Sequence, residues 1–385
     1  MEFDLLINIF DSHNEASILL TEKYKPKNIL FFYMNSQEEV QLEKLKEYYK
    51  EKFPVCKFDY QKLDLNNPSS IEDVITSYRG LEGVCNLTSG KKLVTLMVYS
   101  FCVKYGVDCR YVDIKNEVLI TLDPKEIILE QDSFVDLDIE DIIKSIGGSI
   151  IVDSTKAYND EAIFEFTTWI SQNLEVWDIL KMLLQDVSMF LRDESNPDFL
   201  KVDKEKIPIE IMPFLRERLE FLARNNQISL VDTGSYYDIV FSNDFIKTFL
   251  FKSGTWLEIL TQNIVENIKE IDDVKSGLMF LWNNDKAKVR NELDVVAIKD
   301  SVMICISCKD SKKYDEVTLN ELNVYATQIG GDNVIKILVA TKEPMKSTVG
   351  QRAKEMNIEL VVFDGNINNF KREITAIINE KRETS

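Results

Sequence analysis

Asp294 and Lys309 stand fifteen residues apart in the stretch NELDVVAIKDSVMICISCKD, residues 291–310. An acid pair, Glu292 and Asp294, opens one apolar run, and Lys309 stands near the end of the next. If 293–298 and 302–309 pair as a hairpin around IKDS, Asp294 and Lys309 meet at its open end. Alternation along a strand turns Ser307 the same way as Lys309. Glu258, on an amphipathic helix expected over GTWLEILTQNIVENIKEI, can join them. Clustered carboxylate and carbonyl oxygens suit a hard divalent cation, Mg²⁺ or Mn²⁺. Such an ion activates water and stabilises charge on a phosphoryl oxygen, while a lysine steers the nucleophile and the developing charge.

The elements that would hold these groups are legible from period and punctuation. After the helix come strand GLMFLWNN, strand ELDVVAI, strand SVMICISCK, helix VTLNELNVYATQIG, strand VIKILVAT, helix TVGQRAKEM, strand IELVVF and a last helix. The order α-β-β-β-α-β-α-β-α predicts a mixed sheet flanked by helices.

This tail resembles the PD-(D/E)xK (restriction-endonuclease-like) nucleases: Glu258 on the helix, Asp294 on a strand, then Ser307-Cys308-Lys309 where the family usually has Glu-x-Lys. The resemblance implies Glu258, Asp294 and the carbonyl of Cys308 as metal ligands, with Glu292 or Asp310 compensating for the serine. Gln328, on the following helix, matches a position that often faces the site in that family. The expected catalytic set is thus Asp294, Lys309, Glu258, Glu292, Ser307 and Gln328. CKDSKK, DKAKVR and TKEPMK would offer basic groups to a nucleic-acid backbone near that end.

The first 120 residues alternate strand and helix. Strands are expected at FDLLINIF, ILFFYM, CKFDYQKL, GVCNLT, CRYVDI and EVLITL, with helices at 14–24, 37–53, 69–80 and 91–106. That order predicts a Rossmann-like, mostly parallel sheet with helices on both faces. There is no GxGxxG, so a conventional dinucleotide site is not expected. Two loops open at the carboxyl edge of such a sheet, where ligands bind. NLTSGKK (86–92) ends a strand and opens a helix, so its backbone N–H groups and helix dipole favour an anion beside Lys91 and Lys92. FDSHNEAS (10–17) brings Ser12, His13 and Asn14 to the same edge. The candidate ligand set is therefore Ser12, His13, Asn14, Thr88, Ser89, Gly90, Lys91 and Lys92.

Composition narrows the chemistry further. The chain has 385 residues, 45% of them hydrophobic, and its net charge is −19. The segment 113–210 holds 23 acids against 9 bases, whereas 251–385 holds 21 against 19. The tail is therefore nearly neutral, and the overall acidity does not argue against a nucleic-acid substrate there. His13 is the single histidine, which leaves carboxylates and lysines to carry the chemistry. Most of the six cysteines lie in predicted elements beside apolar neighbours, and they read as reduced buried thiols rather than a zinc or redox loop. No apolar run reaches membrane-span length, and MEFDLLINIF has no basic leader pattern, so a cytoplasmic protein is expected.

A Rossmann-like front half with a TSGKK loop, an acidic helical connector and a GTWLE…ELD…CK tail together resemble the CRISPR-associated Rossmann fold (CARF) sensor nucleases with a restriction-endonuclease-like effector. TSGKK departs from the usual TGGTK at two places. The resemblance implies three parts: a CARF ligand-sensing domain over 1–124, a helical connector with a short strand pair over 125–250 and a nuclease domain over 251–385. It implies front domains paired across a two-fold axis, a cyclic oligoadenylate activator with the tetra-adenylate favoured, and metal-dependent cutting of DNA, RNA or both in type III CRISPR antiviral defence. Two other readings stay open from the residues: a catalytically impaired, ligand-gated sensor with Ser307 in place of the glutamate, and a small-nucleotide or sugar-phosphate enzyme in which the front domain does the chemistry, cleavage of its own ligand included.

Overall fold

Five apolar runs separated by helices build the front of the chain. In the computed structural model, which describes residues 3–78, 82–252, 254–282 and 290–380, they form one sheet. The elements are β1 (Leu5–Ile9), α1 (Glu15–Tyr24), β2 (Asn28–Tyr33), α2 (Ser36–Lys52), β3 (Lys57–Lys62), α3 (Ser69–Ser77), β4 (Gly83–Asn86), α4 (Lys92–Tyr105) and β5 (Asp108–Asp113). They are followed by β6 (Val118–Leu122) and β7 (Ile127–Gln131). The strand order is β3-β2-β1-β4-β5-β6-β7, parallel through the first five and antiparallel over the last two. This is the expected Rossmann-like sheet. Chain order reverses between β1 and β4, so the loops after those two strands open side by side at the switch point. Strand β7, IILEQ, was not anticipated; all five of its residues are exposed, so no buried face marks it in the sequence.

The middle of the chain runs α5 (Ile139–Ser145), β8 (Gly148–Val152), α6 (Thr155–Tyr158), α7 (Glu161–Gln172), α8 (Leu174–Leu184), β9 (Phe190–Arg192), β10 (Phe199–Asp203), α9 (Met212–Arg224), β11 (Ile228–Asp232), β12 (Tyr236–Phe241) and α10 (Asp244–Phe251). The expected strand pair, β11 and β12, is joined by β10 and β9 into a four-stranded antiparallel sheet. Helices α7 and α8 of this expected helical connector meet at Asn173 and end at Leu184. Two strands of the segment 125–250 pair outside it: β7 with β6 in front and β8 with the tail's sheet behind.

The tail has the expected element order: α11 (Thr255–Glu266), β13 (Asp273–Trp282), β14 (Arg290–Lys299), β15 (Val302–Lys309), α12 (Glu316–Gly330), β16 (Ile335–Ala340), α13 (Thr348–Glu355), β17 (Ile358–Val362) and α14 (Ile367–Asn379). Its sheet is ordered β17-β16-β15-β14-β13-β8. The IKDS hairpin closes through Asp300 and Ser301, at φ 50° and 63°, between paired Lys299 and Val302. Two successive left-handed residues match the right-handed twist of a β-hairpin, and short polar side chains tolerate them. One face of the hairpin, Val295, Ala297, Ile304 and Ile306, shares a core with α11 and the middle helices. The other face, Val296, Ile298, Met303 and Cys305, shares a core that runs through α5 to Phe31 and Tyr49 of the front domain. Front and tail are therefore packed through one continuous apolar cluster. All six cysteines are free, and no helix of the described residues is long and apolar enough to cross a membrane.

Candidate active site and ligand loops

Regular pairing between β14 and β15 runs as far as Val295 and Ile306 and stops there. Beyond that point the Asp294 side chain takes over the role of the ladder. Its Oδ2 accepts from the Cys308 backbone N–H at 2.7 Å and from Ser307 Oγ at 3.1 Å, and Lys309 Nζ lies 3.7 Å away. Among the described residues, nothing donates to Oδ1. The splayed strand ends open a cavity of about 540 Å³ lined by Lys252, Glu258, Glu292, Asp294, Ser307 and Lys309, with residues of α12 across from them.

Glu258 sits in the first turn of α11, 3% exposed. Its Oε2 accepts from the Tyr158 hydroxyl at 2.5 Å, and Lys252 Nζ is 3.6 Å from Oε1. Burial, then the nearby Asp294 charge, pushes this carboxyl up to about 7. Burial works against the charge of Lys252, but Glu258 and Glu292 outweigh it and hold the ammonium above its ordinary value. Glu292 pairs with Lys252 at 3.2 Å. The Glu258 carboxyl, an open oxygen on Asp294 and the adjacent Cys308 backbone make an all-oxygen donor set fit for a hard divalent cation, with Lys252 standing beside it as the chain's own counter-charge. Among the described residues, three carboxylate oxygens come within 4.8 Å of one another only at Asp136, Asp272 and Asp300, away from this cavity.

Asp310, suggested as a compensating ligand, has a different occupation. It accepts from Trp177 Nε1 (3.1 Å), Trp256 Nε1 (2.9 Å), Lys181 Nζ (3.0 Å) and Thr341 Oγ1 (2.8 Å). Two of these donors come from α8, so the carboxylate ties the middle of the chain to the residue after Lys309. Gln328 is not among the residues lining the cavity: its amide lies 3.2 Å from that of Asn291, and its backbone oxygen faces the front domain. The basic stretch DKAKVR falls mostly on 285–289, outside the described residues. Sequence reasoning missed Lys252 and Tyr158. Neither has a local signal, and Tyr158 arrives from a helix one hundred residues before Glu258.

At the front, the loops after β1 and β4 lie together as expected. Gly90 is at φ 98°, and a Cβ there would come 2.3 Å from Ile9 Cγ2, so only glycine fits. Its N–H is not open to an anion, contrary to expectation: it donates to Asp11 Oδ2 at 3.0 Å. Thr88 Oγ1 accepts from Val112 N–H at 2.8 Å. Lys91 and Lys92 are exposed at the start of α4, and Ser89 and His13 are half-buried. Ser12 is exposed, whereas Asn14 is buried with its amide donating to the Asp11 carbonyl at 2.9 Å.

A pH dependence follows from Glu258. Its folded carboxyl keeps a proton that the unfolded chain, near 4.5, has released. The native state thus binds more protons between 4.5 and about 7, and this stabilisation is present at low pH and lost as pH rises through 7. In metal-free protein the melting temperature of wild type relative to Glu258→Gln should fall between about pH 5 and about pH 8. In Tyr158→Phe, which removes a hydrogen bond to the ionised form, that fall should move to higher pH. A difference flat with pH would contradict the assignment.

Comparisons with known proteins bear on the fold and on the tail. Residues 247–379 match the family model described as Card1-like, endonuclease domain. A crystal structure of protein VC1899 from Vibrio cholerae is similar over 96% of this chain and 97% of that one, with a TM-score of 0.74 and 18% identity. Can2 from Sulfobacillus thermosulfidooxidans in complex with cyclic tetra-adenylate is similar over 98% of both chains, with a TM-score of 0.70 and 14% identity. A type III CRISPR defence DNA nuclease activated by cyclic oligoadenylate is similar over 91% of this chain and 48% of that one, at a TM-score of 0.52 and 14% identity. No curated protein sequence matches the chain. At these identities the whole-chain likeness is one of fold, and the family match rests on the tail.

Proposed function

We propose, for a chain that joins a Card1-like endonuclease tail to a Rossmann-like front on the fold of the CARF nucleases, that it is a metal-dependent endonuclease of type III CRISPR defence activated by a cyclic oligoadenylate. The observation that carries the nuclease reading is the 3.7 Å approach of Lys309 to Asp294 in a cavity shared with Glu258. Glu258, Asp294 and the Cys308 carbonyl would hold one divalent cation, Mn²⁺ or Mg²⁺, which when bound supplies Lewis acidity toward a phosphodiester and lowers the pKa of water. Lys309 places a positive charge where the phosphoryl group gains negative charge, and Lys252 and Glu292 balance the rim. Ser307 keeps Asp294 oriented by donating to Oδ2. DNA, RNA or both are substrates of this reading, since no base-reading element is apparent.

The activator assignment draws on the bound ligand of Can2 and on the loops at the switch point, where Lys91 and Lys92 present charge beside Gly90. A cyclic tetra-adenylate has the two-fold symmetry that an isologous dimer pocket offers. Pairing of two chains is favoured by apolar groups left exposed on the front domain: Leu93 and Leu96 on α4, Ile127 and Leu129 on β7. The division into a sensor over 1–124, a connector over 125–250 and a nuclease over 251–385, and a cytoplasmic location, belong to the same proposal. One observation favours a weaker catalyst: where the family has a carboxylate, Ser307 offers only a hydroxyl, already donated to Asp294.

The test is cleavage of supercoiled DNA, single-stranded DNA and RNA with Mn²⁺ or Mg²⁺, with and without cyclic tetra-adenylate. The activator should raise the rate by about tenfold or more, a coupling of ordinary allosteric size. Replacing Lys91 and Lys92 together by Ala should remove that response and the ligand-induced rise in melting temperature. No cleavage of any substrate, with ligand binding intact, would favour the sensor without catalysis.

A further inference from the structure

The loop after β1 faces two ways. On one side the Asp11 carboxylate occupies the ligand loop: Oδ2 accepts the Gly90 N–H at 3.0 Å, and Oδ1 accepts the Ser12 N–H at 2.6 Å. On the other side, Ser12 Oγ lies 3.1 Å from His13 Nδ1, and His13 Nε2 lies 3.3 Å from the backbone oxygen of Gln328, 315 residues further along the chain. The ring rests against the end of α12. A Cβ on Gly331, at φ 63°, would come 3.1 Å from His13 Cγ and 3.2 Å from Nδ1, so a glycine is what allows this approach. From Gln328 the contact continues: its amide lies 3.2 Å from Asn291, which precedes Glu292 on the strand carrying Asp294. Earlier turns of α12 supply Thr318, Glu321, Leu322 and Tyr325 to the cavity wall.

We infer that residues 11–13 are the link through which occupancy of the ligand loops reaches the nuclease, with Asp11 as an internal stand-in for a phosphate and His13 as the contact on α12. This rests on the sensor reading above. Two anions compete for one donor. A phosphate oxygen and the Asp11 carboxylate are both anions, and the Gly90 N–H has room for one of them. A phosphate that takes it repels Asp11, and Ser12 and His13 follow because Asp11 holds the Ser12 N–H. The ring then shifts against the Gln328 oxygen and Gly331, which belong to the helix that walls the cavity. A ligand acts on a distant site only through contacts that differ between two arrangements. Here the differing contacts are named: Asp11 to Gly90, and His13 to Gln328. The shared core between front and tail keeps the two domains close enough for a small loop movement to matter.

Two consequences separate this from a simple ligand-contact role. Removing the Asp11 charge should tighten ligand binding, since the phosphate then meets no competing anion; a residue that held the ligand would do the opposite. Coupling is also reciprocal, so a change on the nuclease side of the contact must alter ligand affinity at the front.

The experiment uses full-length wild type, Asp11→Asn, His13→Ala and Gly331→Ala, with cyclic tetra-adenylate as the probe. It reads the calorimetric Kd and the ratio of activated to unactivated cleavage. Asp11→Asn, nearly isosteric, should bind about fivefold tighter or more, and Gly331→Ala should shift Kd by a similar factor in either direction. His13→Ala should still bind, with its activation ratio falling toward one. If wild type neither binds cyclic tri-, tetra- or hexa-adenylate nor responds to them, the sensor reading itself has failed. If wild type responds and the three variants match it, the link alone is wrong. Loss of binding in Asp11→Asn, or in His13→Ala with Gly331→Ala unchanged, overturns the link as well, by making those side chains ligand contacts. Melting curves identify a variant that has failed to fold, and Asp11→Asn, the least disruptive, decides in that event.

Discussion

Asp294→Asn should reduce metal-dependent cleavage by about 10³-fold while leaving the fold intact, a loss of the size seen when a preorganised charge is taken from a reacting centre. The substitution keeps shape and an oxygen able to accept the Cys308 N–H, now at 2.7 Å, so the end of the hairpin retains its connection. What goes is the negative charge that faces Lys309 and raises Glu258, and with it a charged oxygen for the proposed cation. Lys309→Ala should cost about 10² to 10³ for the complementary reason, loss of a cation aimed at developing phosphoryl charge. Single-turnover rates at saturating metal check both, alongside circular dichroism and melting curves. Native-like Asp294→Asn protein that cleaves within about tenfold of wild type would move the chemistry out of this cavity.

Asp310→Ala should destabilise the protein by about 3 kcal/mol or more, because it removes one partner from a buried ion pair and leaves its donors unmatched. The side chain is 2% exposed and its carboxylate accepts from two indoles, an ammonium and a hydroxyl. Without it, Trp177 and Trp256 keep buried N–H groups with no acceptor, and Lys181 loses its inner carboxylate while retaining Asp178 at 2.6 Å. The effect should not stop at stability. Asp310 is the covalent neighbour of Lys309, and half its donors come from α8, so the lysine's backbone is held in part by the middle of the chain. Cleavage should therefore fall even at temperatures where the protein is folded. Calorimetry and rates measured well below the first transition check this; a transition within about 1 kcal/mol of wild type would show the donors to be satisfied otherwise.

The two predictions differ in how much of each was visible beforehand. Asp294 and Lys309 could be paired from the sequence because a hairpin is a local object. Strand period, the polar turn at Asp300 and Ser301 and the position of the two charges suffice to bring them together. The Rossmann-like front was legible for the same reason, since alternating apolar strands and amphipathic helices in that order admit few sheets. Strand β7 escaped because an exposed edge strand has no buried face to write into its sequence, and β9, three residues long, is too short to carry a period.

Chain order and side-chain period by themselves determined the parallel strands of the front sheet, the hairpin of the tail and the two loops at the switch point, because each follows from the order of adjoining elements. Tertiary packing alone decided that Tyr158 holds Glu258, that Asp310 is an anchor, that Asp11 rather than an open amide waits in the front loop, and that His13 touches Gln328. Those contacts join residues up to 315 positions apart. No local pattern encodes them, since each exists only where separately formed sheets bury their faces against one another and bring their polar edges within hydrogen-bonding distance.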